Sequence, residues 1–158
     1  MKKTLFLAAL LSLGGYSVSV QAGDPSEAKS PIVTAAESCL HGRPDSHAPI
    51  GVMADLAAPR VVEFYGIMGF DWVLIDAEHD GASVDVCYDF VRAADAVGIA
   101  SVVRLPVNRP EVVLSYAETG VSGIMAPHVR SAADAEAFVS AMRFPPRGTR
   151  GIAGVTRA

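Results

Sequence analysis

Little in this chain favours a nucleic acid or a membrane as partner. Acids outnumber bases 17 to 13 and the formal charge is −4. No basic stripe runs along it, so the electrostatic footprint of a nucleic-acid-binding protein is missing. Beyond the N-terminus no apolar run is long enough to cross a bilayer. Cysteine is scarce: Cys39 and Cys87 are the two present, and two cysteines make no disulfide framework. Oxidation of that pair in an exported protein stays open, because the spacing decides nothing. No G-x-G-x-x-G and no P-loop lies at a strand end, which weakens the nucleotide-binding versions of an α/β architecture. What is present is 158 residues, 51% of them hydrophobic, enough for one domain with a core.

The first residues have their own logic. Met1-Lys2-Lys3 is a positive start, Thr4 to Leu13 is mostly Leu, Ala and Phe, and Val20-Gln21-Ala22 carries small residues where a signal peptidase reads. Residues 1–22 are therefore expected to be a secretory signal peptide, outside the fold. That places the mature protein in the periplasm or outside the cell, with no membrane association after cleavage. No Cys follows the apolar run closely, so a lipid anchor is not indicated. Residues 23–49 are rich in Ser, Ala, Pro and His without periodicity and read as a linker or irregular arm. His41 and His47 lie there without partners at metal-ligand spacing and read as surface residues.

From Ile50 onward a pattern repeats. Ile50 to Leu56 forms a small apolar strand. Pro59 suits the first turn of a helix, and Gly69 suits its C-terminal end. Val73, Leu74 and Ile75 are a short apolar run of the kind buried on both faces in a parallel sheet. Ser83 caps a helix through Val97, with Val84, Cys87, Tyr88, Val91 and Ala94 at helical spacing, and Gly98 stops it. Ala100 to Arg104 is a strand. Asn108-Arg109-Pro110-Glu111 has the form of a capping box and opens a helix to Glu118. Gly123 to Pro127 is a strand, and Ser131 caps a helix from Ala132 to Arg143. Strand and helix alternate four times, with a repeat the size of βαβ units, which calls for a parallel sheet flanked by helices. A barrel is the better guess, and four units are half of one.

In such a fold the chemistry gathers at the C-terminal ends of the strands. Asp55 follows the first strand, and Asp76, Glu78, His79 and Asp80 crowd the end of the second. Arg104 ends the third, and His128 follows the fourth. An arginine offers a planar fork for a carboxylate, and a histidine can take a proton near neutral pH. The set suits a carboxylate substrate and proton transfer; the plainer reading is an acidic loop with a surface histidine and a salt-bridged arginine.

Four stretches together resemble the HpcH/HpaI aldolase family, metal-dependent pyruvate aldolases acting on 2-keto-3-deoxy acids. They are Gly69 to His79, then Val103-Arg104-Leu105-Pro106, then Gly123 to Pro127, then Phe144-Pro145-Pro146-Arg147-Gly148-Thr149-Arg150-Gly151. The resemblance covers Ile50 to Ala158. It implies a TIM-type (β/α) barrel of the phosphoenolpyruvate/pyruvate class, here truncated to about four β/α units, with residues 50–158 a partial barrel domain. The catalytic residues it implies are His79 in the base, Glu118 as partner of that histidine (one methylene longer than the family's aspartate), and Asp76 shaping the loop. Arg104 would bind the substrate and steady its enolate. A divalent ion, Mg²⁺, Mn²⁺ or Co²⁺, would polarise the keto acid. The expected partners are a small keto acid and further copies of the chain in a homo-oligomer.

Two departures bear on this. Met53 stands where relatives often carry a tryptophan. The acids that ligate the metal in the family correspond to positions beyond Ala158, so no metal ligand is expected in this chain, and this chain alone is expected to have little activity. Two other readings accept the same motifs. One is a non-catalytic half-barrel, with two exposed sheet edges, that pairs with another chain. The other is a citrate-lyase β-like enzyme acting on a CoA thioester.

Overall fold

The computed structural model of the chain describes residues 7–12, 15–20, 49–56, 58–154 and 156–157. In chain order the elements are β1 (Leu7–Ser12), β2 (Gly15–Val20), β3 (Gly51–Met53), α1 (Pro59–Ile67), β4 (Trp72–Asp76), α2 (Val84–Val97), β5 (Ala100–Arg104), α3 (Pro110–Ala117), β6 (Gly123–Ala126) and α4 (Ala132–Met142). From β3 onward strand and helix alternate as the sequence leads one to expect. Residues 21–48, with Cys39, His41, His47 and nearly all of the expected 23–49 arm, lie outside the described residues.

The sheet runs in the order β1-β2-β6-β5-β4-β3. β3, β4, β5 and β6 are parallel to one another and adjacent in chain order, the arrangement that strand–helix–strand crossovers impose. β1 and β2 form an antiparallel hairpin, and β2 pairs antiparallel with β6 through Val18↔Ala126, Ser19↔Met125 and Val20↔Ile124. This corrects the expectation of two exposed edges on the four-stranded unit. The β6 edge is paired, because an extended segment with unsatisfied backbone groups is at hand to complete its ladder. Among the described strands the sheet is open, with β1 and β3 at its two edges.

Strand alternation sorts the side chains onto two faces. Val73, Ile75, Val103, Ile124 and Ala126 pack with Val62 of α1, Phe90 and Val91 of α2 and Phe138 of α4 in the main core. Leu74, Val102 and Met125 form a smaller cluster with Trp72. Cys87 is free and buried in the main core, with its Sγ 3.5 Å from Thr119 Oγ1. Burial pushes its thiol up to about 11.

The helix ends follow local chemistry. Ser83 Oγ accepts the Val86 N–H at 3.3 Å. Gly98 adopts the left-handed region at φ 74°, and its N–H reaches back to Ala94 and Asp95, a glycine C-cap. At α4, Ser131 and Asp134 exchange side-chain-to-backbone hydrogen bonds in both directions. The expected Asn108–Glu111 box does not form. Pro110 forces its predecessor out of the helical region, so Arg109 is extended (φ −129°, ψ 142°) and becomes the N-cap, without a side-chain cap bond. After α4 the chain folds back: Thr149 N–H donates to Ser140 O at 2.8 Å and Arg150 N–H to Arg143 O at 2.9 Å. A Cβ at Gly148 would sit 2.2 Å from Ser140 O, so only glycine permits this return.

Candidate active site

The site is assembled by strand register. Asp76 and Arg104, the last residues of β4 and β5, are register partners, and neighbouring residues at matched register share one face of a sheet. That face is the one carrying Leu74, Val102 and Met125. Arg104 Nε donates to Asp76 Oδ1 at 3.0 Å and Nη2 donates to Oδ2, a bidentate fork on a carboxylate. Asp76 is buried. Its Oδ1 also accepts the N–H of Glu78 at 2.9 Å and of His79 at 3.2 Å, the local side-chain-to-backbone turn that aspartate favours. Burial alone would raise the Asp76 pKa; the Arg104 bond and the two N–H groups outweigh it and hold the carboxyl below its ordinary value. The Asp76 bond in turn raises Arg104, opposed by burial and helped by the charges of Glu78 and Asp80.

Glu78 is the hub. Its Oε2 lies 3.4 Å from Arg104 Nε and 3.8 Å from His79 Nε2, and its Oε1 lies 3.0 Å from His128 Nε2. Three strand ends, those of β4, β5 and β6, thus meet on one half-buried carboxylate. Both imidazoles are solvent-facing, with 68% of the His79 and 72% of the His128 side chain exposed. His128 holds φ at 54°, a left-handed conformation that costs a non-glycine residue and persists where the surroundings enforce it.

The structure therefore brings together Asp76, Glu78, His79, Arg104 and His128. Asp80 is exposed beside them, and Asp55 is exposed beyond the end of β3 without an ion pair to the cluster. Glu118 is not brought there. It caps the C-terminus of α3, which packs against the start of α2: the Tyr116 hydroxyl donates to Ala82 O at 2.7 Å and Thr119 Oγ1 lies 3.5 Å from Cys87 Sγ. Its Oε1 accepts Arg150 Nη2 at 2.8 Å, and its backbone carbonyl accepts the Tyr88 hydroxyl at 3.2 Å. Burial would raise the Glu118 pKa, but hydrogen bonds from Thr156 and Arg150 lower it. The expected pairing of Glu118 with His79 is thus not made within this chain. The sequence placed Glu78 in the acid cluster without giving it a role, and nothing in the linear order signalled Arg150 as the partner of Glu118.

The donor set does not make a metal centre. Among the described residues no group of three or more His, Cys, Asp and Glu side chains could hold an ion. Both carboxylate oxygens of Asp76 are taken by Arg104, and Glu78 is shared between Arg104 and His128.

The chain is similar to known proteins. A hydroxypyruvate/pyruvate aldolase from Agrobacterium fabrum is 37% identical over 110 residues, covering 69% of this chain and 41% of its own length. A 2-dehydro-3,6-dideoxy-6-sulfogluconate aldolase from Pseudomonas putida is 36% identical over 111 residues, covering 70% of this chain and 44% of its own. Among solved structures, an HpcH/HpaI aldolase/citrate lyase family protein from Burkholderia cenocepacia superposes with a TM-score of 0.67 at 30% identity, over 76% of this chain and 50% of that one. The chain spans less than half the length of the curated relatives it matches. The sequence profile of the HpcH/HpaI aldolase/citrate lyase family covers residues 50–157, and the chain belongs to that family of carbon–carbon lyases.

Proposed function

We propose that the site binds a 2-keto acid through Arg104, and that the protein cleaves a 4-hydroxy-2-oxo (2-keto-3-deoxy) acid into pyruvate and an aldehyde. The observation that carries this reading is the Asp76–Arg104 fork. Asp76 occupies Nε and Nη2, which fixes the guanidinium plane and leaves the N–H groups of Nη1 for a substrate carboxylate or enolate oxygen. A base removes the proton of the C4 hydroxyl. The C3–C4 bond then breaks, the aldehyde carbonyl forms, and the electron pair passes into the pyruvate enolate, which a proton later quenches at C3. His79, exposed and within reach of Glu78, serves as that base. Asp76 positions Arg104 and the His79 loop.

The described residues contain no lysine, so the site holds no amine for a Schiff base. Stabilisation of the enolate falls to Arg104 and to a cation. Because the described residues do not form a metal centre, a divalent ion would take its ligands from outside this set, and no step above is routed through it. A closed (β/α) barrel, a homo-oligomer and an exported location complete the proposal. The two relatives named above are both aldolases, which supports cleavage to pyruvate over a CoA-thioester reaction, although a citrate synthase also shares the fold at 26% identity and a TM-score of 0.65.

The test is pyruvate binding, read by calorimetry, together with deuterium exchange at the pyruvate methyl group. Binding that vanishes in Arg104→Ala supports the reading. Absence of pyruvate binding by the wild-type chain, or equal binding by Arg104→Ala, overturns it.

A further inference from the structure

His79 hangs on a short loop, and packing does little to hold its ring. The imidazole is 68% exposed and stands 3.8 Å from Glu78, past hydrogen-bonding range. Its aim is therefore set by the backbone that carries it. The loop is pinned at its start. Asp76 Oδ1 accepts the N–H groups of Glu78 and His79, and Ala77 N–H donates to Arg104 O at 2.9 Å. Past His79 come Asp80 and Gly81, and Gly81 takes the left-handed region at φ 66°, which glycine enters at little cost. The loop ends at Ala82, just ahead of the Ser83 cap of α2.

Ala82 is held through both of its backbone groups. Its N–H donates to Asp76 O at 3.3 Å. Its carbonyl accepts the hydroxyl of Tyr116 at 2.7 Å, across 34 residues of sequence. Tyr116 comes from α3, whose buried residues are Val113, Tyr116 and Ala117, an inward stripe at helical spacing. The residue is 7% exposed and belongs to the main core. Burial, with Cys87 nearby, pushes the phenol above its ordinary value, so it stays a donor. A phenylalanine would fill the same space. The hydroxyl adds a directed bond rather than packing, and a buried phenol needs such a partner.

We infer that Tyr116 is a positioning residue for aldol cleavage: its hydroxyl pins the far end of the His79 loop, opposite the Asp76 anchor, and so holds the imidazole where it takes the C4 hydroxyl proton. The inference rests on the reading of His79 as the base. A loop fixed at both ends keeps an exposed side chain near one geometry, which a reacting group requires. Without the hydroxyl, Ala82 O turns to water and the Gly81 end of the loop gains freedom, while the ring at position 116 still fills the core.

The test compares the full chain with Tyr116→Phe and with Val113→Ala, which truncates the same buried face of α3. Two readouts need no turnover: hydrogen exchange of the backbone amides and carbon-13 relaxation of the histidine rings. In Tyr116→Phe the Glu78 and His79 amides should exchange about tenfold faster, the scale of one hydrogen bond. The His79 ring should gain mobility, while the His128 ring and the amides of β4 and β5 stay as in the wild type. Val113→Ala should speed exchange throughout the core and leave the His79 ring as it was. In aldol cleavage Tyr116→Phe should lower kcat by about tenfold, within the loss that a misplaced catalytic group causes, and leave KM unchanged. An unaltered His79 loop and ring in Tyr116→Phe overturns the inference. So does loosening shared evenly by loop and core, or a loosened ring that cleaves with the wild-type kcat. The two readings fail separately. Normal cleavage by His79→Ala, with the His79 ring loosened in Tyr116→Phe, sinks the base and keeps the anchor.

Discussion

Asp76 and Arg104 stand 28 residues apart in sequence and face each other across two parallel strands, joined by a bidentate ion pair. One partner is 2% exposed and the other 22%. The buried member has both oxygens on the guanidinium and one of them also on the following loop, so a single side chain fixes the strand end, the arginine and the backbone of His79. The pair turns a loop of acids into a shaped site.

Arg104→Lys keeps the charge and loses the fork. We expect it to impair both methyl exchange of pyruvate and aldol cleavage, because both pass through the enolate. His79→Ala should lower the turnover of cleavage by about 10²–10⁴, the range for a positioned acid–base group, with a smaller change in substrate binding. Steady-state kinetics of both variants with metal saturating decides the matter. Normal cleavage rates in both would reduce His79 to a loop residue and Arg104 to a salt-bridge partner.

Acid should weaken the fold through the same pair. Asp76 has a folded pKa below its ordinary 3.8, and Glu118 one below its ordinary 4.5. A carboxyl depressed in the folded state adds stability that is complete above its unfolded pKa and is lost as pH falls through the folded one. The midpoint of urea unfolding should therefore hold steady near neutrality and fall below about pH 4.5. In Asp76→Asn the fall should be shallower. A wild-type midpoint unchanged down to pH 3 would show that neither carboxyl is stabilised by folding.

Glu118 and Arg150 form a pair of which the arginine side chain is only 2% exposed, and Arg150 also stacks 4.7 Å over the Phe144 ring. Arg150→Ala should cost about 3–5 kcal/mol, because it leaves a carboxylate half-buried without its partner. Glu118→Gln should lower the melting temperature while pyruvate affinity and methyl exchange stay near wild type. Loss of exchange in a Glu118→Gln protein that melts normally would instead support the catalytic role that the family resemblance implies for Glu118.

The N-terminal segment is proposed to be removed on export, given Lys2-Lys3, the apolar run and Val20-Gln21-Ala22. N-terminal sequencing of the exported product should begin at Gly23, and processing would then uncover the β6 edge that β2 occupies. An exported product that retains Met1 contradicts this.

The local devices were legible because they act over a few residues. The caps at Ser83 and Ser131, the glycine at Gly98 and the apolar runs of β4, β5 and β6 follow from side chains hydrogen-bonding or packing near their own backbone. Even the gathering of Asp76, His79, Arg104 and His128 follows from their place at strand ends once the strands are parallel. The N-cap of α3 was misplaced by one residue, because the conformational demand of Pro110 on Arg109 overrode the appeal of an Asn108–Glu111 box. What the linear order could not reveal depends on register and on the fold-back of the chain. Register makes Asp76 the holder of Arg104 and leaves Glu78 to gather Arg104 and both imidazoles. The fold-back of the chain after α4 gives Glu118 the guanidinium of Arg150 as its partner. Hydrophobic period and capping chemistry are written in neighbours along the chain. The choice of ion-pair partner is made by distance in space, and the tertiary structure alone sets that distance.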